Sequence, residues 1–307
     1  MNRKYTMPLK LPLLLVVAFI ATGRTGAQSP GNQKGSGVEL KLQVGKLDRE
    51  LHETSGLIWF RNSLWTFNDS GGEPEIYSFD PATGKINQVI LVSNALNIDW
   101  EDIGQDRGYI YIGDTGNNFG QRNRLVIYKI AKDDVPMAGN VSVMAERIRF
   151  GYADWEPSLS IRQRVSHDCE ALFVYEDSIY VFTKNRVDQT SSLYKLPVVP
   201  GDYSIPSSGV FESNGLVTGA DISNDGRFII MTGYRDFVPF AWVLYGYSWP
   251  DLLSGERKRF DFPDHFRLQT EGVAIRNDST VYISSEAGQH PPGLFTIDLK
   301  EIVGVGH

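Results

Sequence analysis

The sequence predicts an all-β chain, and three observations carry that expectation. From residue 38 onward, short runs rich in Val, Ile, Tyr, Phe and Trp alternate with Asp, Asn and Gly turns. No long stretch keeps a helical hydrophobic period. A hairpin pattern then recurs at roughly 40 to 50 residues, an interval typical of radially repeated β structure.

Five segments open the copies: Glu53-Thr-Ser-Gly-Leu-Ile-Trp, Asp99-Trp-Glu-Asp-Ile-Gly, Asp168-Cys-Glu-Ala-Leu-Phe, Thr218-Gly-Ala-Asp-Ile-Ser and Gln269-Thr-Glu-Gly-Val-Ala-Ile. Each leads through a turn into a second apolar strand, at Leu64 to Phe67, Tyr109 to Ile112, Ile179 to Phe182, Phe228 to Met231 and Val281 to Ile283. Third strands follow at Glu75 to Phe79, Leu125 to Ile130, Ser192 to Leu196, Trp242 to Tyr247 and Leu294 to Leu299. Fourth strands are expected at Ile86 to Val92, Ala145 to Phe150 and Lys258 to Phe262.

The last copy runs out of chain before a fourth strand, while Val38 to Val44 is a strand without a hairpin partner. Supplying one from the other closes a ring, so residues 38–307 are expected to form a single five-bladed β-propeller completed by its N-terminal strand. Six blades is the alternative. Between Ser55, Glu101, Glu170, Ala220 and Glu271 the steps are 46, 69, 50 and 51, so the second step holds an insertion within 131–167.

The N-terminus carries Arg3, Lys4 and Lys10, then the apolar run Leu11 to Ala21, then Thr25, Gly26 and Ala27. That order predicts a cleavable signal peptide over residues 1–27. A run of about 11 residues is too short for a bilayer that needs roughly 20, so membrane insertion is not expected. Residues 28–37 read as a flexible leader, and the mature chain as a secreted or periplasmic monomer.

Losing residues 1–27 removes four positive charges, leaving 26 Lys and Arg against 37 Asp and Glu, a net charge of −11. Such a balance argues against a nucleic-acid partner. Cys169 is the only cysteine, which excludes an intramolecular disulfide, and no Cys/His spacing resembles a zinc module.

In such a ring the first strand of each blade lines the channel, so the equivalent residues Ser55, Glu101, Glu170, Ala220 and Glu271 should surround the axis. Three carboxylates about 5 Å apart repel by roughly 3 kcal/mol per pair at an effective dielectric near 20. A cation, a proton or a basic side chain must answer them. Oxygen ligands without His or Cys favour calcium, with Ser55, Glu101, Glu170 and Glu271 as the metal set. The plainer alternative is that these acids pair with Lys184 and Arg186.

Loops leaving the second strands reach the same end and add Asp69, Asp114, Lys184, Arg186, Arg235 and Glu286 as candidate catalytic groups. His167 is more simply a hydrogen-bonded structural residue than a general base, and Cys169 a core residue.

The ring order resembles that of the calcium-activated nucleotidases, or soluble apyrases, in which Ser, Glu, Glu, Ser and Glu surround a central calcium. Asn68-Asp-Ser-Gly resembles that family's acidic turn, and Lys184-Asn-Arg186 stands where it carries an arginine pair. Ala220 departs from its fourth serine. The phrases beginning Asp99, Gly113 and Thr218 also look like exported bacterial propeller proteins of unassigned function and, more loosely, the esterase-like phytase group.

Two functions follow as expectations. One is a calcium-binding module that takes a sugar, peptide or cell-envelope ligand at the channel mouth. The other is a calcium-dependent hydrolase of phosphoesters or phosphoanhydrides, in which Asp69 or Asp114 activates water and Lys184, Arg186 and Arg235 stabilise charge.

Overall fold

Hairpins with an alternating apolar face assemble into five sheets arranged as a five-bladed β-propeller in the computed structural model, which describes residues 38–303 apart from Ser158. The expected signal peptide and leader lie outside the described residues. Blade 1 runs Thr54–Phe60, Ser63–Asn68, Glu75–Phe79 and Ile86–Val92. Blade 2 runs Trp100–Gln105, Tyr109–Asp114, Leu125–Ala131 and Glu146–Tyr152. Blade 3 runs Cys169–Tyr175, Ser178–Thr183, Ser191–Pro197 and Ser207–Phe211. Blade 4 runs Leu216–Ile222, Phe228–Arg235, Val238–Tyr245 and Glu256–Asp261.

Blade 5 has only three strands of its own, Thr270–Ile275, Thr280–Ser285 and Gly293–Asp298. Its fourth is Lys41–Val44, antiparallel to Gly293–Asp298 with Leu42 opposite Phe295. Leu40 and Leu47, flanking this strand, are buried. The N-terminal closure therefore stands, and the ring has five blades.

Apolar packing explains why the blades stay together. Each interface has its own core: Ile58, Phe67 and Trp100 between blades 1 and 2, Tyr111, Leu172 and Val181 between 2 and 3, Phe173, Ala220 and Met231 between 3 and 4. Ile230, Val243 and Val281 fill the interface of blades 4 and 5, and Leu57, Ala274 and Tyr282 join blade 5 back to blade 1. Inner strands contact one another in cyclic order, which leaves no open inner edge.

Two outer strands escape the repeat pattern. Val141–Val143 pairs parallel with Ile86–Val92 of blade 1, and Gly201–Ile205 pairs parallel with Glu146–Tyr152 of blade 2. Each comes from a connection belonging to the next blade along the chain, so neighbouring blades are stitched at the rim. The insertion also forms the one-turn helix Ile161–Arg164, started by a capping box between Ser160 and Gln163. His167 packs on Tyr152 at 5.0 Å and sits 3.3 Å from Asp154, as a structural residue would.

Every inner strand breaks register near its start, in blade 1 one residue later than in blades 2 to 4 because Ser55 still pairs with Phe67. Trp100 faces Asp114 but Asp102 faces Gly113, which leaves Glu101 as the extra residue, and Glu170 is extra in the same way between Cys169 and Ala171. In blade 4 the break falls between Val217 and Gly219, so Thr218, not Ala220, is the residue equivalent to Glu101. The ring is thus Ser55, Glu101, Glu170, Thr218 and Glu271. Ala220 lies two residues further on, in the core of blades 3 and 4. Alignment on the Asp-Ile of Thr218-Gly-Ala-Asp-Ile misplaced it, because the bulge precedes that pair. Both ring hydroxyls bind the next blade: Ser55 Oγ donates to the Glu101 carbonyl at 2.6 Å, and Thr218 Oγ1 to the Thr270 carbonyl at 2.6 Å.

A buried carboxylate ties three blades together. Asp102, fully buried, accepts the backbone N–H groups of Ile103 at 2.8 Å, Leu172 of blade 3 at 2.8 Å and Ala220 of blade 4 at 3.1 Å. Asp221 likewise accepts Ile275 N–H of blade 5 at 2.7 Å. An unsatisfied buried donor costs about 1–3 kcal/mol. Asp102→Ala, which orphans two donors in other blades, should therefore lower unfolding free energy by about 3 kcal/mol or more, with Asp102→Asn losing less. Urea titration of both variants checks this; a loss under about 1 kcal/mol for the alanine variant would contradict it.

Candidate metal centre

Register breaks turn the ring residues toward the axis at the end where the inner strands begin, and the antiparallel second strands end beside them. Ser55, Glu101, Glu170 and Glu271 arrive from the inner strands, while Asp69, Lys184, Arg186 and Glu286 arrive from the loops. All eight line one cavity of about 180 Å³. This is the space of roughly six water molecules at ~30 Å³ each.

Two candidates stand elsewhere. Asp114 is buried behind the ring, where its Oδ1 accepts Arg122 Nη2 at 2.7 Å and the Asp99 N–H at 3.2 Å. Arg235 projects outward to Asn214 and to Asp236 at 3.7 Å.

Sequence reasoning passed over Asp99 and Asp168. Each precedes a ring glutamate by two residues, in Asp99-Trp-Glu101 and Asp168-Cys-Glu170, and that repeated Asp-x-Glu was the signal available. Carboxylate oxygens of Asp69, Asp99 and Glu101 lie within 4.8 Å of one another, as do those of Glu101, Asp168 and Glu170. Gly116 makes the convergence possible: a Cβ there would stand 2.1 Å from Glu101 Oε1 and 2.3 Å from Asp99 Oδ2.

Charges inside the cavity are only partly matched. Lys184 Nζ donates to Glu170 Oε2 at 2.8 Å with both side chains buried, and Arg186 bridges Asp168 and Glu170, reaching the latter at 3.5 Å. Burial pushes the Glu170 carboxyl up, but Lys184 and Arg186 outweigh it and hold the group below its ordinary value. Lys184 is in turn held well above the ordinary lysine range, since Glu170 overcomes the burial that lowers it. The expected pairing with Lys184 and Arg186 therefore holds for Glu170.

It does not extend to the other two ring glutamates. Glu101 and Glu271 are 4% and 8% exposed, yet neither carboxylate has a hydrogen-bond or ion-pair partner among the described residues. Burial, then repulsion from Glu170 and Asp69, drives Glu101 well above the usual carboxylate range. Burial raises Glu271 too, against the attraction of Lys184. Burial together with Glu170 pushes Asp69 to about 8, Asp99 to about 6 and Asp168 to about 7; burial first pushes Glu286 to about 7.

Asp69, Asp99 and Glu101 offer carboxylate oxygen alone, without His or Cys, and Glu101 turns its carboxylate into the cavity with no side-chain or backbone donor among the described residues. That chemistry fits a hard divalent cation.

The opposite end of the channel, where the inner strands finish at Phe60, Gln105, Tyr175, Ile222 and Ile275, opens into a wider basin of about 810 Å³. Its rings are already covered: Tyr175 stacks on Trp249 at 4.4 Å, Trp59 lies between Tyr282 and Arg276, and Phe60 carries Arg61 and Lys132.

No family model and no curated protein matches the chain. Among solved structures it is similar to a glucose dehydrogenase, with 10% identity, a TM-score of 0.46, and 85% of this chain and 98% of that one covered. A hypothetical protein from Leishmania major gives 13% identity and a TM-score of 0.45, with 90% of each chain covered. A chain of the mitotic checkpoint complex gives 11% and 0.40, over 91% of this chain and 98% of that one. Likenesses this distant carry no argument about function; the blade assignment rests on the strand pairing itself.

Raised carboxyls make stability depend on pH in a definite direction. Between about pH 4 and 8 the folded chain keeps protons on Asp69, Asp99, Asp168 and Glu286 that the unfolded chain has released, so stability falls as pH rises through that range. In chelator, the melting temperature should drop steadily from pH 5 to pH 8, and Asp69→Asn or Glu286→Gln should flatten the drop. A melting temperature that rises over this interval would contradict the charge assignment.

Proposed function

We propose that the chain is a calcium-dependent binding module, with the cation held by Asp69, Asp99 and Glu101 at the axial end of blades 1 and 2 and a ligand met at the mouth above. One observation carries the reading: Glu101 is a buried carboxylate without a partner, crowded by acids that two internal cations do not neutralise. When bound, calcium supplies positive charge at the axis and fixes the loops that carry Asp69 and Asp99. Glu170 is left out of the metal set, because Lys184 and Arg186 already serve it.

The corrected ring supports calcium as the cation, while its placement rests on the carboxylate cluster. With Thr218 in the fourth position, hydroxyl, Glu, Glu, hydroxyl and Glu follow in order, which is closer to the nucleotidase-like pattern than a ring with Ala220. Export, expected from residues 1–27, would take the protein to compartments where calcium is abundant.

Binding is favoured over phosphoester hydrolysis by where the cationic groups stand. Hydrolysis would need Lys184, Arg186 and Arg235 to meet a phosphate, but the first two are engaged by Glu170 and Asp168 and the third points away from the cavity. Asp114, the alternative base, is held by Arg122. A space of about 180 Å³ is also below the ~300–1,000 Å³ usual for small-molecule sites.

Calcium at 100 times its dissociation constant should stabilise the fold by about 2.7 kcal/mol, several degrees in melting temperature at this chain length. Glu101→Gln should abolish the response while raising the melting temperature in chelator at pH 8. A wild-type transition that calcium leaves in place would refute the metal assignment.

A further inference from the structure

Five exposed apolar side chains stand at the end of the blades that carries the acidic well. Leu96 and Ile98 lie in the segment entering blade 2, Phe119 in the loop leaving its second strand, Phe237 in the turn leaving the second strand of blade 4, and Phe266 in the segment entering blade 5. These five side chains are 49% to 66% exposed. Strand pairing puts all of these segments at the end of the blades that carries the ring, with Trp100 opposite Asp114, Leu216 opposite Tyr234 and Thr270 opposite Ser285. Phe237 and Phe266 meet edge to face at 6.3 Å, the Arg267 N–H donates to the Phe237 carbonyl at 2.7 Å, and the Arg267 guanidinium lies 5.9 Å and 5.3 Å from the two ring centres, so one side of each ring is already taken by a cation. Single exposed apolar residues need no explanation, but five at one end of the blades, none of them lining the well itself, mark a contact surface beside it.

Inside the well, the blade 5 side is short of positive charge. Glu271 is 8% exposed, lines the cavity and has no partner among the described residues, and Glu286 beside it is met only by the Gln269 amide. Lys184 faces both but is committed to Glu170. The well already houses an ammonium group, since Lys184 Nζ stands 5.7 Å from the Tyr234 ring centre. Its volume of about 180 Å³ suits a slender alkyl stem with a compact head, whereas a planar guanidinium needs a flat bidentate partner.

We propose that this face docks a polypeptide partner which inserts a lysine side chain into the well, its ammonium between Glu271 and Glu286 and its flanking apolar residues over Phe119, Phe237 and Phe266. The inference rests on the binding-module reading and gives that module its ligand class. Charge complementarity supplies the choice of lysine, and the exposed aromatic side chains supply the choice of a polypeptide over a free amine.

Two synthetic acetylated peptides test it by calorimetry in calcium buffer, one with a central lysine flanked by leucines and one with norleucine in place of the lysine. The lysine peptide should bind at least tenfold more tightly. Glu271→Gln should erase that preference, with its cooperative melting certifying the fold, and Phe237→Ala should weaken both peptides alike. Equal affinity for the two peptides, no binding of either, or a preference that survives Glu271→Gln would overturn the proposal. A lysine preference that persists while calcium leaves the wild-type melting temperature unchanged would uphold it and refute the calcium reading alone.

Discussion

Burial of like charges at the axis is the constraint around which the rest of the molecule is arranged. Carboxylates from blades 1, 2, 3 and 5 converge where solvent can screen them only through a small opening. Repulsion of that kind is tolerable only in a framework that cannot spread. Five separate apolar interfaces, closed by the strand Lys41–Val44, provide such a framework.

Polar groups share that restraint. Asp102 and Asp221 gather backbone donors across blade boundaries, and the hydroxyls of Ser55 and Thr218 reach the carbonyls of the following blades. Lys184 and Arg186 offset the charge of Glu170 and Asp168, which localises the remaining imbalance at Glu101 and Asp69 on one side and at Glu271 and Glu286 on the other. One well therefore offers two unlike places for positive charge: a cluster of oxygens close enough for a metal ion, and the blade 5 side, where Glu271 and Glu286 line the same cavity as Tyr234.

The blade framework is legible in the sequence because strand period and turn chemistry are local signals, which suffice to place Ile86–Val92 and the closing N-terminal strand. Rim strands Val141–Val143 and Gly201–Ile205 are not, since each pairs with a sheet built from a different part of the chain and carries no repeat of its own. Convergence of Ser55, Glu101, Glu170 and Glu271 followed from the repeat. The fourth ring member did not: a bulge shifts side-chain direction by one residue without leaving a mark in composition, and Ala220 stood in for Thr218. Which acids are neutralised was equally hidden, because a lysine at the far end of the same hairpin looks the same whether it meets Glu170 or solvent.

Proton release on cation binding tests the central claim most directly. If the acids at the axis hold protons that only positive charge can displace, calorimetric titration of calcium at pH 6.5 in two buffers of different ionisation enthalpy should give heats that differ by the release of one or more protons per ion bound. Calcium binding with identical heats in both buffers, or no binding at all, would contradict it.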